Sequence, residues 1–134
     1  MTYQIDTNIL IRLFLRDNEE QVSKIESTIE RLLSANHSLF VDPLVIIEFL
    51  FVTSGKIYQI DREKSVHFLL VFLQNKQILT INKSTLQSAL KLFTKHSLDF
   101  ADCYLFAQAK GLSHKILSFD SAFDKLDPKI RTKP

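Results

Sequence analysis

The chain is poor in the residues that interrupt or cross-link a polypeptide. It contains one Cys, two Gly and three Pro among 134 residues, and no Trp. The lone Cys103 excludes a disulfide within the chain, which is typical of a reducing compartment. So few Gly and Pro argue against linkers and low-complexity tracts. The sequence therefore predicts one domain over residues 1–134, a length sufficient for a single core.

Long hydrophobic runs are also missing. No stretch of about 18 uncharged apolar residues occurs, and residues 1–6 lack the basic and apolar segments of a signal peptide. We therefore expect a soluble, cytoplasmic protein with no membrane partner. The four His residues are far apart and no Cys cluster accompanies them, which argues against a zinc site. The 17 basic and 15 acidic residues nearly balance, so net charge alone indicates no class of partner.

Short strands and helices are predicted to alternate along the chain. Residue type and periodicity indicate strands at 3–5, 38–41, 77–81 and 115–119, and helices at about 9–14, 22–36, 43–54, 61–74, 86–95 and 99–111. Asp42 followed by Pro43 marks a helix start, as does Asp61. The alternation predicts a helix-rich α/β fold with a mainly parallel central sheet. Residues 121–126 are expected to form a helical turn, and the basic tail 129–134 to be frayed.

Four acidic residues stand where a parallel sheet would gather them. Asp6 and Asp120 each follow a predicted strand, and the carboxyl ends of parallel strands lie at one edge of a sheet. Asp102 comes three residues after Asp99, the expected N-cap of its helix, so both carboxylates face the start of that helix. We expect these side chains to converge.

Glu48 is the most informative single residue. It is the only charged residue between Pro43 and Gly55, in an otherwise apolar predicted helix. A carboxylate embedded in such a helix destabilises the fold unless a cation or metal ion meets it. The alternative to a metal ion is a buried ion pair with Lys or Arg.

Several carboxylates without matching bases predict a hard divalent cation, Mg²⁺ or Mn²⁺, because such ions prefer oxygen ligands. On a phosphodiester substrate, one or two such ions activate a water and stabilise the leaving oxygen. Hydrolysis by this route needs no Cys, Ser or His nucleophile.

Four segments resemble, in order, the signatures of PIN domains. They are IDTNIL at 5–10, the lone Glu48, LDFADC at 98–103 and ILSFD at 116–120, continuing to Phe123. Length and layout are similar to VapC-type toxins of prokaryotic toxin–antitoxin pairs. Ser118 and Cys103 stand where family members more often carry Thr and Ala, and both departures are conservative.

The resemblance implies a three-layer α/β/α fold and an endoribonuclease. It implies that Mg²⁺ or Mn²⁺ is held by Asp6, Glu48, Asp102 and Asp120. It further implies that Asp99 is an additional acid, that Asn8 and Ser118 support the site, and that the protein forms a homodimer with an inhibitory antitoxin partner. Thr7 is placed with these supporting residues.

Simpler interpretations remain open for each residue. The simpler interpretation of Asp6 and Asp99 is a helix cap, that of Asp102 is compensation of the helix dipole, and that of Asp120 is the start of a turn. Asp124 and Asp127 are expected to be solvated.

Arg12 and Arg16, one turn apart, would face RNA phosphates or pair with acids on a solvated helix face. The apolar run 66–73 is either core or interface.

Rival functions are less consistent with the residues. A haloacid-dehalogenase-type phosphatase needs a second Asp where Asn8 stands, and a response-regulator receiver gives no reason for Glu48. The remaining alternative is a PIN-like RNA-binding or scaffold module without turnover, because a fold does not prove catalysis.

Overall fold

The computed structural model describes residues 1–134 as α-helices and short strands. The helices are α1 (Thr7–Leu15), α2 (Glu19–Ser34), α3 (Pro43–Ser54), α4 (Arg62–Leu73), α5 (Lys83–Lys95) and α6 (Phe100–Gly111), with a 3₁₀ helix at Ser121–Lys125. The strands are β1 (Thr2–Gln4), β2 (Ser38–Phe40), β3 (Ile78–Leu79), β4 (Ile116–Leu117) and β5 (Arg131–Thr132). The chain divides into two compact units, Met1–Lys83 and Ser84–Pro134.

The first unit contains a three-stranded parallel sheet in the order β1-β2-β3. Tyr3 is paired with Leu39, and Leu39 with Ile78. Two backbone bonds extend the ladder beyond the strands, from Ile5 N to Phe40 O and from Val41 N to Leu79 O, each 2.9 Å long. Both β1 and β2 run directly into helices, so their carboxyl ends are at one edge of this sheet.

Local caps explain where several helices of this unit begin. Asp42 accepts a hydrogen bond from Leu44 N, with Pro43 at the first helical position, and Asp61 accepts one from Glu63 N. Both predicted N-caps are therefore confirmed. Each satisfies a backbone N–H that has no partner within the helix.

Four phenylalanines form the aromatic part of the first unit's core. Phe49 contacts Phe14 and Phe68 at ring-centroid distances of 5.4 and 5.7 Å, and Phe68 stacks on Phe72 at 6.2 Å. The apolar run 66–73 supplies two of these rings together with the buried Val66, Leu69 and Leu73. This run is therefore mainly core, with Val71 left exposed.

The second unit contains α5, α6 and a two-stranded parallel sheet of β4 and β5. Ile116 is paired with Arg131, and Leu117 with Thr132. Under this sheet lies a cluster of buried side chains: Phe106, Ala109, Ile116, Phe123 and Ile130.

The predicted helix-rich α/β class with parallel strands is confirmed, but the strands form two sheets. The expectation of a frayed tail was wrong, because β5 pairs with β4 and Ile130 is buried. The single domain over 1–134 and its three layers stay predictions. No helix combines the length and apolar character needed to cross a membrane.

Candidate functional site

Asp6 lies between β1 and α1 in the first unit. Its backbone is extended, with φ −79° and ψ 151°, and its carbonyl oxygen accepts from Ile9 N at 3.0 Å. Its carboxylate makes no hydrogen bond to the helix, so Asp6 occupies the N-cap position without capping through its side chain. The carboxylate is exposed. Capping therefore does not explain why an acid is present here.

Thr7 connects the start of α1 to the middle of α3. Its Oγ1 donates to Glu48 Oε2 over 3.1 Å, and Thr7 itself is buried. Thr7 follows Asp6 directly in the sequence. Thr7 therefore orients Glu48 from the start of α1.

Glu48 itself is exposed, which corrects the expectation of an embedded carboxylate. Helix α3 turns Ile46, Phe49 and Leu50 into the core, and Glu48 lies on its opposite side with Leu44 and Phe51. The solvated carboxylate does not require a cation for the fold to be stable, and the alternative of a buried ion pair is also excluded. No basic side chain is paired with Glu48, and its hydrogen-bond partner is the hydroxyl of Thr7.

Three acids interact in the second unit. Asp99 occupies the N-cap position of α6 without a side-chain cap bond, and Asp102 lies in the first turn. Burial raises the pKa of Asp102, and the negative charges of Asp99 and Asp120 raise it further. Asp99 and Asp120 are therefore each close enough to Asp102 for their charges to act on it.

Asp120 has a structural task beside any functional one. Its Oδ1 accepts from Ala122 N at 2.8 Å and caps the 3₁₀ helix, and its own N–H donates to Ser118 Oγ at 2.9 Å. Asp120 thus begins the helical turn that was expected at residues 121–126, which the structure has at Ser121–Lys125. The Ser118 hydroxyl thus holds the backbone of Asp120.

Arg131 is the residue near these acids that sequence reasoning missed. Its side chain is 15% exposed; it pairs with Asp124 at 2.8 Å and donates from Nη1 to Ser118 O at 3.2 Å. The pKa of Arg131 is raised, first by its hydrogen bond to Asp124 and also by the charge of Asp120. Asp124 and Asp127, which were expected to be solvated, are both partly exposed, and each is also paired, Asp124 with Arg131 and Asp127 with Lys110 at 3.0 Å.

The remaining predicted residues are on α1 or next to it. Asn8 is exposed in the first turn. Arg12 pairs with Asp17 at 3.3 Å, and Arg16, just after α1, pairs with Glu26 at 3.0 Å and Glu19 at 3.5 Å. Both arginines thus have the acidic partners that the simpler interpretation predicted.

The donor set suits a hard cation, because every predicted ligand is a carboxylate. The ion pairs within the two units use other acids, namely Asp17, Glu19, Glu20, Glu26, Asp124 and Asp127. No group of three or more His, Cys, Asp and Glu side chains is already arranged as a metal site. The structure brings Thr7 and Glu48 together in the first unit, and brings Asp99 and Asp120 near Asp102 in the second unit.

Comparison with known proteins identifies the family. A VapC ribonuclease of Aquifex aeolicus (strain VF5) is 33% identical over 125 residues, which cover 91% of this chain and 90% of the relative. Among solved structures, this chain is similar to a chain of the Rickettsia felis VapBC2 complex bound to a promoter DNA fragment. The alignment covers 99% of this chain and 98% of that chain, with 16% sequence identity and a TM-score of 0.43. The Mycobacterium tuberculosis toxin VapC20, which cleaves the sarcin-ricin loop, covers 95% of both chains at 13% identity and TM-score 0.38. Residues 3–129 match the PIN domain, and the chain belongs to this family.

Proposed function

We propose that this protein is a divalent-metal-dependent endoribonuclease and the toxin of a toxin–antitoxin pair. The VapC ribonuclease relative, similar along nearly the whole of both chains, supports the ribonuclease activity. The observation that carries the metal dependence is the gathering of carboxylates around Asp102: burial raises the pKa of Asp102, and the negative charges of Asp99 and Asp120 raise it further. A bound cation relieves such repulsion.

The proposed ligands of Mg²⁺ or Mn²⁺ are Asp6, Glu48, Asp102 and Asp120. Asp99 adds negative charge beside Asp102, and Thr7 holds Glu48 in one orientation. Ser118 fixes the backbone of Asp120. Hydrogen bonds of this kind orient ligands, and losing one typically weakens metal binding by about 10- to 100-fold.

When bound, such an ion lowers the pKa of a water and offsets the negative charge that develops on a phosphodiester. The chain's own residues bind and orient the ion and the phosphodiester. Asn8, exposed at the first turn of α1, offers a side-chain amide that can donate to a phosphate or a water. No protein nucleophile is required.

The proposed partners follow from the VapC resemblance. They are an RNA substrate, a second copy of the chain and a small antitoxin, in the cytoplasm where RNA is accessible. Leu44 and Phe51, exposed on the Glu48 side of α3, offer apolar surface for a protein partner.

The test is incubation of the purified protein with total RNA in Mg²⁺ or Mn²⁺, with and without EDTA. We expect cleavage that EDTA abolishes and that Asp6→Asn and Asp102→Asn each reduce by at least about 100-fold, as loss of a group that stabilises the transition state does. Asp17→Asn is the matched control, because Asp17 is an exposed acid paired with Arg12. Cleavage that survives EDTA or both site variants would refute the mechanism.

Tight RNA binding without cleavage under any metal condition would favour the alternative, a PIN-like RNA-binding or scaffold module. A measurement of metal binding distinguishes the nuclease from the module without turnover. Mg²⁺ or Mn²⁺ should raise the Tm of the wild type and of Asp17→Asn, but not that of Asp102→Asn, because a ligand that binds only the folded state stabilises it.

A further inference from the structure

A cleft lined by both polar and apolar side chains lies between α5 and α6 in the second unit. Its volume is about 580 Å³. Three lysines and three hydroxyl side chains line it together with Phe106, and no acidic residue does. The acids that interact in this unit are at the opposite end of α6. The cleft therefore has a charge opposite to that of the proposed metal site.

The polar side chains follow one face of α5. Ser84, Ser88, Lys91 and Lys95 are at positions i, i+4, i+7 and i+11, so they form a stripe about 16 Å long. Lys110, in the last turn of α6, also lines the cleft, and its Nζ is paired with Asp127 at 3.0 Å. A row of ammonium and hydroxyl donors along a groove matches a chain of phosphates better than a single small anion.

The basic surface continues beyond this cleft. Lys110 also lines a neighbouring cavity of about 320 Å³ with Lys115, Lys129 and His114, where Asp127 is the one acid. The second unit as a whole carries eight Lys and Arg against five Asp and no Glu, a net charge of +3. The whole-chain charge of +2 conceals this asymmetry.

We propose that the cleft between α5 and α6 binds the phosphate backbone of single-stranded RNA, as a second contact site distinct from the place of cleavage. This inference rests on the proposed function, because RNA is named as the bound nucleic acid on the basis of the ribonuclease activity. Lys110 and Asp102 are eight residues apart on α6, which is about 12 Å along the helix axis. A strand held at Lys91, Lys95 and Lys110 is thereby anchored one or two nucleotides away from the acids.

The test measures binding of a 5′-fluorescein-labelled single-stranded RNA of about 20 nucleotides by fluorescence anisotropy in EDTA, where the proposed chemistry is off. The cleft variant carries Lys91→Glu and Lys95→Glu. The matched control carries Lys64→Glu and Lys76→Glu, two exposed lysines of the first unit, and has the same change of net charge.

We expect the cleft variant to bind RNA at least about tenfold more weakly, and the slope of log affinity against log salt to fall by about 1.4, two phosphate contacts at about 0.7 each. The control should change by less than about threefold. Ser88→Glu, which keeps both lysines and adds a carboxylate to the cleft, should also weaken binding. Equal losses in the cleft and control variants, or no loss in either cleft variant, would overturn the proposal.

The same variants separate this inference from the proposed function. In Mg²⁺, the loss in the Lys91→Glu, Lys95→Glu variant should appear as a higher KM, whereas Asp102→Asn should lower kcat. Asp102→Asn should still bind the labelled RNA in EDTA. A wild type that binds RNA through the cleft but never cuts it contradicts the nuclease and leaves the binding site supported. A loss confined to kcat in the cleft variant overturns the second contact site.

Discussion

The guanidinium of Arg131 holds the carboxylate of Asp124 through two parallel hydrogen bonds, from Nε to Oδ1 at 3.0 Å and from Nη2 to Oδ2 at 2.8 Å. Planar pairing of this kind is specific to Arg, because Lys offers a single point charge. The third donor, Nη1, reaches the carbonyl oxygen of Ser118. One side chain thus ties β5 to the 3₁₀ helix and to the residue that supports Asp120.

Arg131→Lys is expected to lower the Tm and the cleavage rate together. Lys cannot make the paired bonds to Asp124, so the 3₁₀ helix that Asp120 caps loses its tie to β5. Thermal unfolding and RNA cleavage check this. The control is Arg16→Lys, because Arg16 pairs with exposed acids outside the second unit. A Tm loss no larger than in the control would contradict the role of Arg131.

The same pair predicts a pH dependence. The hydrogen bond from Arg131 lowers the pKa of Asp124 below its usual value. A depressed folded pKa gives stability that is present above the unfolded pKa, near 3.9, and is lost as pH falls through the folded value. Asp124→Asn should therefore lower the Tm at about pH 7, and the difference from the wild type should shrink as the pH falls below about 3.9. A Tm difference that does not shrink in this range would refute the linkage.

Thr7→Val tests the hydroxyl that orients Glu48. The substitution keeps the shape of a buried side chain but removes the donor to Glu48 Oε2, so stability should fall by about 1 kcal/mol. Metal-dependent cleavage should fall by about tenfold or more, because Glu48 loses its fixed orientation. Thr7→Ser keeps the hydroxyl and should recover most of the activity. Equal loss in both variants would show that the methyl group matters rather than the hydrogen bond.

Local signals in the sequence predicted most helices correctly. The caps at Asp42 and Asp61 act through side chain to backbone bonds within three residues, so they can be read without knowing the fold. β5 was missed because Arg131 and Thr132 have no strand periodicity of their own. Their pairing depends on β4 and on the bond to Asp124, contacts that only the folded chain creates.

The sequence predicted which acidic residues form the candidate site, but it did not predict their solvent exposure or their hydrogen-bond partners. α3 is apolar on all sides, so its sequence does not show that Glu48 faces solvent. Which side is buried depends on the packing of α3 against α1 and α4. The Thr7 hydroxyl and the Arg131 guanidinium act over 41 and 7 to 13 residues of sequence separation. Such pairings have no signature in one sequence.

Helix α3 offers a matched pair of core and surface phenylalanines. Phe49 is fully buried among Phe14 and Phe68, whereas Phe51 is 79% exposed. Phe49→Ala should reduce the free energy of unfolding by about 3–5 kcal/mol, the usual result of emptying a core position. Phe51→Ala should change it by less than about 0.5 kcal/mol. Urea unfolding measures both, and similar losses would mean that Phe51 is covered in solution by a partner.

Asp102 is expected to reduce stability in the absence of a cation. Burial and the charges of Asp99 and Asp120 raise the pKa of its carboxyl. An acid whose pKa is higher in the folded state favours folding below the unfolded pKa, near 3.9, and that benefit is lost as pH rises through the folded pKa. Asp102→Asn removes the charge, so in EDTA at about pH 7 the variant should have a higher Tm than the wild type.

The higher Tm expected for Asp102→Asn has to be distinguished from a general effect of removing an acidic residue. Asp17→Asn loses the ion pair with Arg12 and should not raise the Tm, because no like charge is relieved there. Near pH 3, where the wild-type carboxyl is protonated, the Tm advantage of Asp102→Asn should disappear. The burial of the Asp102 carboxylate beside Asp99 and Asp120 opposes folding at neutral pH, and such a destabilisation is expected where acids serve to bind a cation. An Asp102→Asn variant less stable than the wild type in EDTA would show instead that this carboxylate supports the start of α6.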